Sequence, residues 1–409
     1  MSRIAACRSC GAGGLLPVLS LGNLPLSDGF LRADELDRPE PRFPLDLAFC
    51  PACGLVQILE TVPPEILFGQ DYPYFSSVSA TLLAHSKAHV AERLRELPRG
   101  PDTLVVELAS NDGYLLQFYR EAGVRVLGID PAPGPVAAAR EKGIETIEAF
   151  FGRALARDLV ALGRRADLVH ANNVLAHVAD LHGFLDGIRL VLKDEGRAVV
   201  EVPYVRDLVE KLAFDTIYHE HLCYFSVTAV DRLVRPRGLF LTRVERVPIH
   251  GGSLRLFLTR EDRPDATVGA ILAEERAIGL DRYDFLAGFA ARVERLRADL
   301  RALLRELKGA GKRIAAYGAA AKGTILLNAC GLGPELLDWV ADKNPFKQGR
   351  WVPGVRLPIV PPARILLDRP DLLLILPWNI APEVMAQEAA FGRAGGRFVL
   401  PVPVPEVIA

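Results

Sequence analysis

Four of the six cysteines in this 409-residue chain fall into two pairs, Cys7-x-x-Cys10 and Cys50-x-x-Cys53. Four thiolates suit a tetrahedral zinc ion, and each Cys-x-x-Cys turn points two sulfurs at one metal. Unrelated thiols or a redox pair are the competing readings, but neither pair follows a Rossmann-type strand, where a redox pair would stand. All four ligands together close the coordination shell, so the expected Zn2+ is structural and offers no open position for catalysis. Cys223 and Cys330 stand alone.

A second chemical cluster is Thr216–Ser226, which packs Tyr218, His219, Glu220, His221 and Tyr224 into one short run. A His-x-His with an intervening carboxylate suits either a metal or a general base with an orienting acid. The spacing is not His-Glu-x-x-His, so a zinc-protease reading fails. A third is the loop Glu107-Leu-Ala-Ser-Asn-Asp-Gly113 after an apolar strand, with a further acid, Asp130, ending the next strand. Small residues in such a loop let a ligand approach the backbone, and the second acid can accept both hydroxyls of a ribose. Neither a dinucleotide G-x-G-x-x-G nor a Gly-x-x-x-x-Gly-Lys phosphate loop stands there. The stretch His170–His177 closes the following strand, where His177 either lines a site or sits on a surface helix.

The elements that must position these groups follow from periodicity. Residues 1 to about 60 are turn-rich and need a staple. An amphipathic helix is expected through Leu82–Leu97. Strands at Thr103–Leu108, Val124–Asp130, Ala166–Ala171 and Gly196–Val202 alternate with helices near Pro135–Lys142, Ala154–Leu162 and Leu181–Leu192, which predicts a parallel sheet covered on both faces. Two more strands, Leu239–Arg246 and Ser253–Thr259, precede a long helix, roughly Asp281–Lys308. A second α/β unit follows, with strands at Arg313–Tyr317, Leu337–Ala341, Leu372–Leu376 and Arg397–Leu400. The expected domains are 1–70, 71–245 and 246–409.

Composition limits the partners. The 49 basic and 50 acidic residues give a net charge of −1, which excludes a generally basic nucleic-acid binder. No apolar run approaches the ~20 residues of a membrane span. A cytoplasmic protein acting on a small molecule, as a monomer or weak dimer, is the expectation.

The loop Glu107–Gly113 with Asp130 resembles the cofactor site of class I S-adenosyl-L-methionine (SAM) methyltransferases. Tyr218–His221, Pro248-Ile-His-Gly-Gly-Ser-Leu-Arg255, Tyr317–Gly323, Asp342-Lys-Asn-Pro-Phe-Lys-Gln-Gly349 and Leu376–Asn379, together with the cysteine pairs, resemble the sugar C-methyltransferase family. That resemblance covers nearly the whole chain. It implies an α/β protein with an N-terminal zinc-binding domain, a central Rossmann-like SAM domain and a C-terminal Rossmann-like domain. It further implies methylation of carbon on a nucleotide-linked keto-deoxy sugar of an antibiotic pathway. His221 then fits the base, with Glu220, Tyr218, His177 and Tyr72 around the developing enolate; Tyr74 competes with Tyr72 for that place. Glu107, Ser110, Asn111, Asp112, Gly113, Asp130 and Asn172 are the expected cofactor residues. Lys322 at a helix start is the expected diphosphate ligand, with Asn328 and Asn379 beside it. The family has glycine where Ala109 stands, and alanine fits there only if the backbone is not left-handed. Another small keto or aromatic acceptor, or a zinc-containing nucleotide-binding regulator, are the alternative functions.

Overall fold

The computed structural model describes residues 2–68, 74–98 and 100–408. In the N-terminal domain each cysteine pair forms the same tight knuckle. The Gly11 amide donates to Cys7 O at 2.9 Å, and the Gly54 amide to Cys50 O at 2.8 Å. Both glycines adopt left-handed backbone, φ 72° and 79°, which a side chain would strain. The four Sγ atoms lie within 4.8 Å of one another. Cys7 to Cys53 is 3.6 Å and Cys10 to Cys50 is 3.5 Å. A zinc ion with Zn–S bonds of about 2.3 Å holds its sulfurs about 3.8 Å apart, so the donor set fits zinc. Around it, the Gln57 amide donates to Cys7 Sγ at 3.1 Å and the Ser9 amide at 3.4 Å. These donors stabilise negative charge on the Cys7 sulfur, the thiolate form a metal requires.

Behind the knuckles, strands Leu16–Pro25, Arg42–Phe49 and Val56–Ile58 form an antiparallel sheet. Its fourth strand, Cys223–Tyr224, comes from far along the chain, pairing Cys223 with Gln57 and Tyr224 with Val56.

The central sheet, among the described residues, has seven strands. In hydrogen-bonding order they are Phe240–Val247, Ser253–Thr259, Leu192–Pro203, Ala166–Asn172, Leu104–Leu108, Arg125–Asp130 and Thr146–Glu148. Ser253–Thr259 runs antiparallel to both neighbours, and the five strands on the Leu104–Leu108 side are parallel. Leu104–Leu108 is buried throughout, as a strand covered on both faces must be. The strand order reverses between Leu104–Leu108 and Ala166–Asn172, so ligands belong at their carboxyl ends. The expected boundary at 245/246 falls inside the strand Phe240–Val247, and Ser253–Thr259 carries the same sheet beyond it. The second α/β unit forms its own six-stranded sheet, with Ile314–Tyr317 between Val340–Ala341 and Leu372–Ile375.

One expected helix differs and one helix is new. The long helix breaks at Gly288, φ 74°, leaving a short 3-10 turn at Tyr283–Leu286 and a helix over Phe289–Gly309. A helix at Ala266–Ile278 had no expectation; Asp265 caps it by accepting from the Thr267 amide at 2.9 Å. Its Glu275 is fully buried and accepts from the Tyr204 hydroxyl at 2.9 Å and from the Val227 and Thr228 amides, each at 2.8 Å. Among the described residues no helix is long and apolar enough to cross a membrane.

Elemental analysis of the purified protein should find one zinc per chain. Cys7→Ser should cut the zinc content and lower the unfolding temperature, because structural zinc supplies folding free energy. A disulfide within either pair, with no metal, would contradict the assignment.

Candidate active site

All three domains line a cavity of about 670 Å³. At one end it opens on the carboxyl edge of the central sheet, where Ala109, Asn111, Asp130 and Asn172 line it. The Asp130 carboxylate accepts from the Asn111 amide at 2.9 Å and the Ala132 amide at 2.8 Å, one on each oxygen. Each oxygen keeps a second lone pair for a ligand hydroxyl. Burial raises its carboxyl to about 6, against the pull of those two amides. The Asn111 side chain accepts from the Ser76 amide at 2.8 Å and donates to Tyr74 O at 3.0 Å, bolting the 74–79 segment to the loop.

The other expected cofactor residues stand behind this wall. Asp112 accepts from the Ser77 amide at 3.3 Å and from Lys142 at 3.1 Å. Gly113 has φ 74°, and a Cβ there would lie 2.3 Å from Ile144 Cδ1. Ser110 packs against Gly128, where a Cβ would lie 2.5 Å from its Oγ. Glu107 is buried beneath, and burial together with Asp112 and Asp130 raises its carboxyl well above the usual range. Among the described residues, the buried side-chain oxygens of Asn172 and Asn173 have no hydrogen-bond partner, as expected of groups that meet a bound ligand. The pocket thus fits SAM.

Ala109 is a correction. Its φ is 56°, the left-handed region that alanine fits at a cost of about 1–2 kcal/mol. The condition under which alanine would replace glycine freely is not met. The chain carries that strain in the loop that lines the cavity.

The middle of the cavity carries the histidines. Residues 218–221 form a turn rather than a helix start, closed by the His221 amide donating to Tyr218 O at 2.9 Å. The turn sends the two histidines to different partners. His219 donates from Nε2 to Pro44 O at 3.1 Å, toward the zinc domain. His221 lines the cavity and donates from Nδ1 to Thr216 O at 2.9 Å. A carbonyl can only accept, so Nδ1 carries the proton and Nε2 of His221 is left with a lone pair. Burial, with His177 and His250 nearby, holds His221 well below the ordinary imidazole range. Tyr218 lies over its ring at 3.9 Å between centroids, and His177 meets it edge-on at 4.7 Å. Tyr72 lies outside the described residues; Tyr74 lines the cavity.

At the far end stands Lys322, at the start of helix Ala321–Cys330. It is not solvated. Its Nζ donates to Asn379 Oδ1 at 3.0 Å, lies 3.6 Å from the fully buried Asp215, and sits 3.9 Å from the centre of the Trp378 ring. Asn379, Ala320 and Ala321 line the same end. Asn328 is engaged elsewhere, donating to Thr324 O at 2.9 Å and Pro353 O at 2.8 Å. Asp28, His250 and Lys347 are among the lining residues that had no expectation. His250 and Lys347 lie inside motifs that marked the family, yet nothing in their local spacing signals a ligand.

Three family models match in chain order: "Putative zinc binding domain" over residues 7–68, "Methyltransferase domain" over 82–244 and "C-methyltransferase C-terminal domain" over 248–403. The chain is 38% identical to the C-methyltransferase NovU of Streptomyces niveus over 410 aligned positions, spanning 99% of this chain and 97% of that one. A ubiquinone biosynthesis O-methyltransferase of Methylobacterium sp. (strain 4-46) is 33% identical over 93 residues, 22% of this chain and 37% of that protein. Among solved structures, the magnesium protoporphyrin IX methyltransferase of Synechocystis PCC 6803 with bound SAM is 16% identical. It covers 44% of this chain and 79% of that one, with a TM-score of 0.33.

Two outcomes follow for the cofactor end. Asp130→Ala should weaken SAM binding by more than about tenfold in calorimetry, the scale of a lost charge-assisted hydrogen bond at ~1.5–3 kcal/mol; unchanged affinity would put the ligand elsewhere. Ala109→Gly should raise the stability of the SAM domain by about 1 kcal/mol, read from its denaturant midpoint, by relieving the left-handed alanine. A lower midpoint would mean the loop is not strained.

Proposed function

The chain belongs to the C-methyltransferase family, and on that premise we propose that its acceptor is the carbon beside the keto group of a keto-deoxy sugar carried on a nucleotide diphosphate. The protein is a SAM-dependent methyltransferase of the class I fold with a structural zinc. The observation that carries the finer reading is His221: a neutral imidazole with its tautomer fixed by Thr216 O and its free Nε2 in the shared cavity.

In this reading His221 Nε2 removes the proton alpha to the ketone. Its neutral form is present at working pH because the buried imidazole resists protonation. Acidity of the substrate then has to come from the enolate oxygen's surroundings. The Tyr218 hydroxyl and His177 are the donors that meet the developing charge, and Tyr218 stays a phenol because burial opposes its ionisation. Bound SAM supplies the electrophilic methyl group that the enolate carbon accepts. Asn111, Asp130 and Asn172 hold it, and the apolar lining of the cavity excludes competing water. The zinc stands apart from the chemistry, in a closed shell of sulfur.

The nucleotide diphosphate suits the Lys322 end. A helix start and an ammonium act together on an anion there, and Asp215, Asn379 and Trp378 fix the ammonium in place. The domain division proposed for this function is a zinc domain over 1–70, a SAM domain over 71–245 and a nucleotide-sugar domain over 246–409, with the last strand of the central sheet contributed by the third.

The base is tested by kinetics on a panel of thymidine-diphosphate 4-keto-6-deoxy sugars. His221→Asn should lower kcat by roughly 10²–10⁴-fold with SAM affinity nearly unchanged. His219→Asn should cost stability while leaving kcat within about an order of magnitude, since its ring is engaged with Pro44 O. The reverse pattern would move the base to His219.

A further inference from the structure

One buried cluster in the cavity is not absorbed by that mechanism. Glu220 comes from the 218–221 turn of the central domain, Asp28 from the loop after strand Leu16–Pro25, and Lys347 from the loop after Val340–Ala341. All three line the cavity. Glu220 is 4% exposed and Lys347 6%. Lys347 Nζ lies 4.0 Å from Asp28 Oδ1, donates to Ala319 O at 2.8 Å, and sits 4.9 Å from the centre of the Phe30 ring. Glu220 has a single hydrogen bond among the described residues, Oε1 accepting from the Ser27 hydroxyl at 3.3 Å.

The charge count is unequal: two carboxyl groups share one ammonium. Leaving both ionised would bury a net negative charge in the cavity that the proposed function fills with an anionic diphosphate. A retained proton removes that cost. Burial raises the Asp28 carboxyl as well, but Lys347 at 4.0 Å opposes that rise and forms no ion pair with Glu220 among the described residues, so the proton stays on Glu220. The other titratable groups facing Glu220 agree with this. Tyr218 on its own turn is an un-ionised phenol, and so is Tyr74, which neighbours Asp28 from the 74–79 segment. Asp342, behind Asp28, adds a further negative charge while accepting from the Ala319 and Asn344 amides, each at 2.7 Å. Burial and Asp28 both push the Glu220 carboxyl well above the usual range.

We propose that Asp28, held by Lys347, is a positioning residue that keeps Glu220 a neutral carboxylic acid, so that Glu220 donates a hydrogen bond to an oxygen of the substrate and is not a base. The donor role rests on the keto-sugar reading above; the protonation state of Glu220 does not. Three domains thus contribute to one proton. A carboxylic acid gives up that donor as pH rises through its pKa, so the hydrogen bond is complete on the acid side and lost on the alkaline side. Removing the Asp28 charge also frees Lys347 to pair with Glu220, and both changes favour the carboxylate.

Infrared difference spectroscopy of the whole protein across pH tests this without substrate. The wild-type spectrum at pH 7 should contain a protonated-carboxyl C=O band that is missing in Glu220→Gln. Asp28→Asn should move the midpoint of that band to lower pH by about 1–2 units, and Lys347→Met should move it to higher pH. With substrate, the alkaline limb of kcat/KM should follow the same midpoints. Asp28→Asn should shift no limb in the Glu220→Gln background, whose amide still donates. SAM calorimetry on each variant confirms folding, and Lys347→Met carries the test if Asp28→Asn does not fold. No band lost in Glu220→Gln, or an Asp28→Asn midpoint unchanged, would overturn the proposal. Failure of every keto sugar to be methylated, with the band behaving as stated, would overturn the acceptor instead.

Discussion

A strand of two residues holds this molecule's chemistry in register. Cys223 and Tyr224 add to the zinc domain's sheet beside Val56 and Gln57. Two further bonds extend the junction: the Ile58 amide donates to Leu222 O at 3.0 Å, and the Leu222 amide to Ala176 O at 2.8 Å. Main-chain pairing of this kind fixes position to a fraction of an ångström, because a one-residue slip would turn every side chain over. The segment it fixes is the one that ends in Tyr218, Glu220 and His221. Gln57, the partner of Cys223, also donates to Cys7 Sγ. The metal knuckle and the histidine turn are therefore two ends of one short hydrogen-bonded path. A zinc with no open coordination position still governs where His221 stands.

The cavity follows from that placement. Each domain brings polar groups it could not bury alone, and each is satisfied only across a junction. Thr324, on the helix of Lys322, donates to Ser27 O at 2.9 Å. Trp378 in the third domain donates to Asp215 in the second at 2.8 Å. His219 in the second donates to Pro44 O in the first. Breaking any one of these leaves a buried group unpaired, which costs about 1–3 kcal/mol. The interfaces are held by partners rather than by apolar area alone.

Much of this was legible in the residues, for identifiable reasons. The cysteine pairs carry their own geometry, since two sulfurs per turn leave little freedom. The strands Leu104–Leu108 and Arg125–Asp130 are apolar runs ending in a small loop and an acid, and a doubly covered sheet writes itself that way. His221 was separable from its neighbour, and the turn at 218–221 is what sends the two rings to different partners. Other features leave no local signature. Asp28 is an acid in a turn-rich stretch, and only tertiary contact makes it part of the cavity. The helix Ala266–Ile278 shows weak amphipathicity because Glu275 points inward, where the pattern calls for an apolar residue. The left-handed backbone at Ala109 is hidden for the opposite reason: alanine suggests an ordinary helix or strand residue, and the loop's hydrogen bonds override it. Asn328 and Asp112 had the right types in the right neighbourhood, but their side chains are consumed by backbone and lysine partners.

Trp378 has an optical consequence. The chain contains three tryptophans. Trp339 is buried in the core of the C-terminal domain, and Trp351 bridges main chain at Leu31 and Pro358. Trp339 and Trp378 each donate an indole N–H to a carboxylate, and among the described residues only Trp378 also carries a lysine ammonium on its ring face. Indole emission responds to charge at just these two positions. A ligand anion that draws the ammonium away from the ring changes the colour and yield of one fluorophore out of three. An anion that occupied the far end of the cavity could therefore be followed in light with no label added.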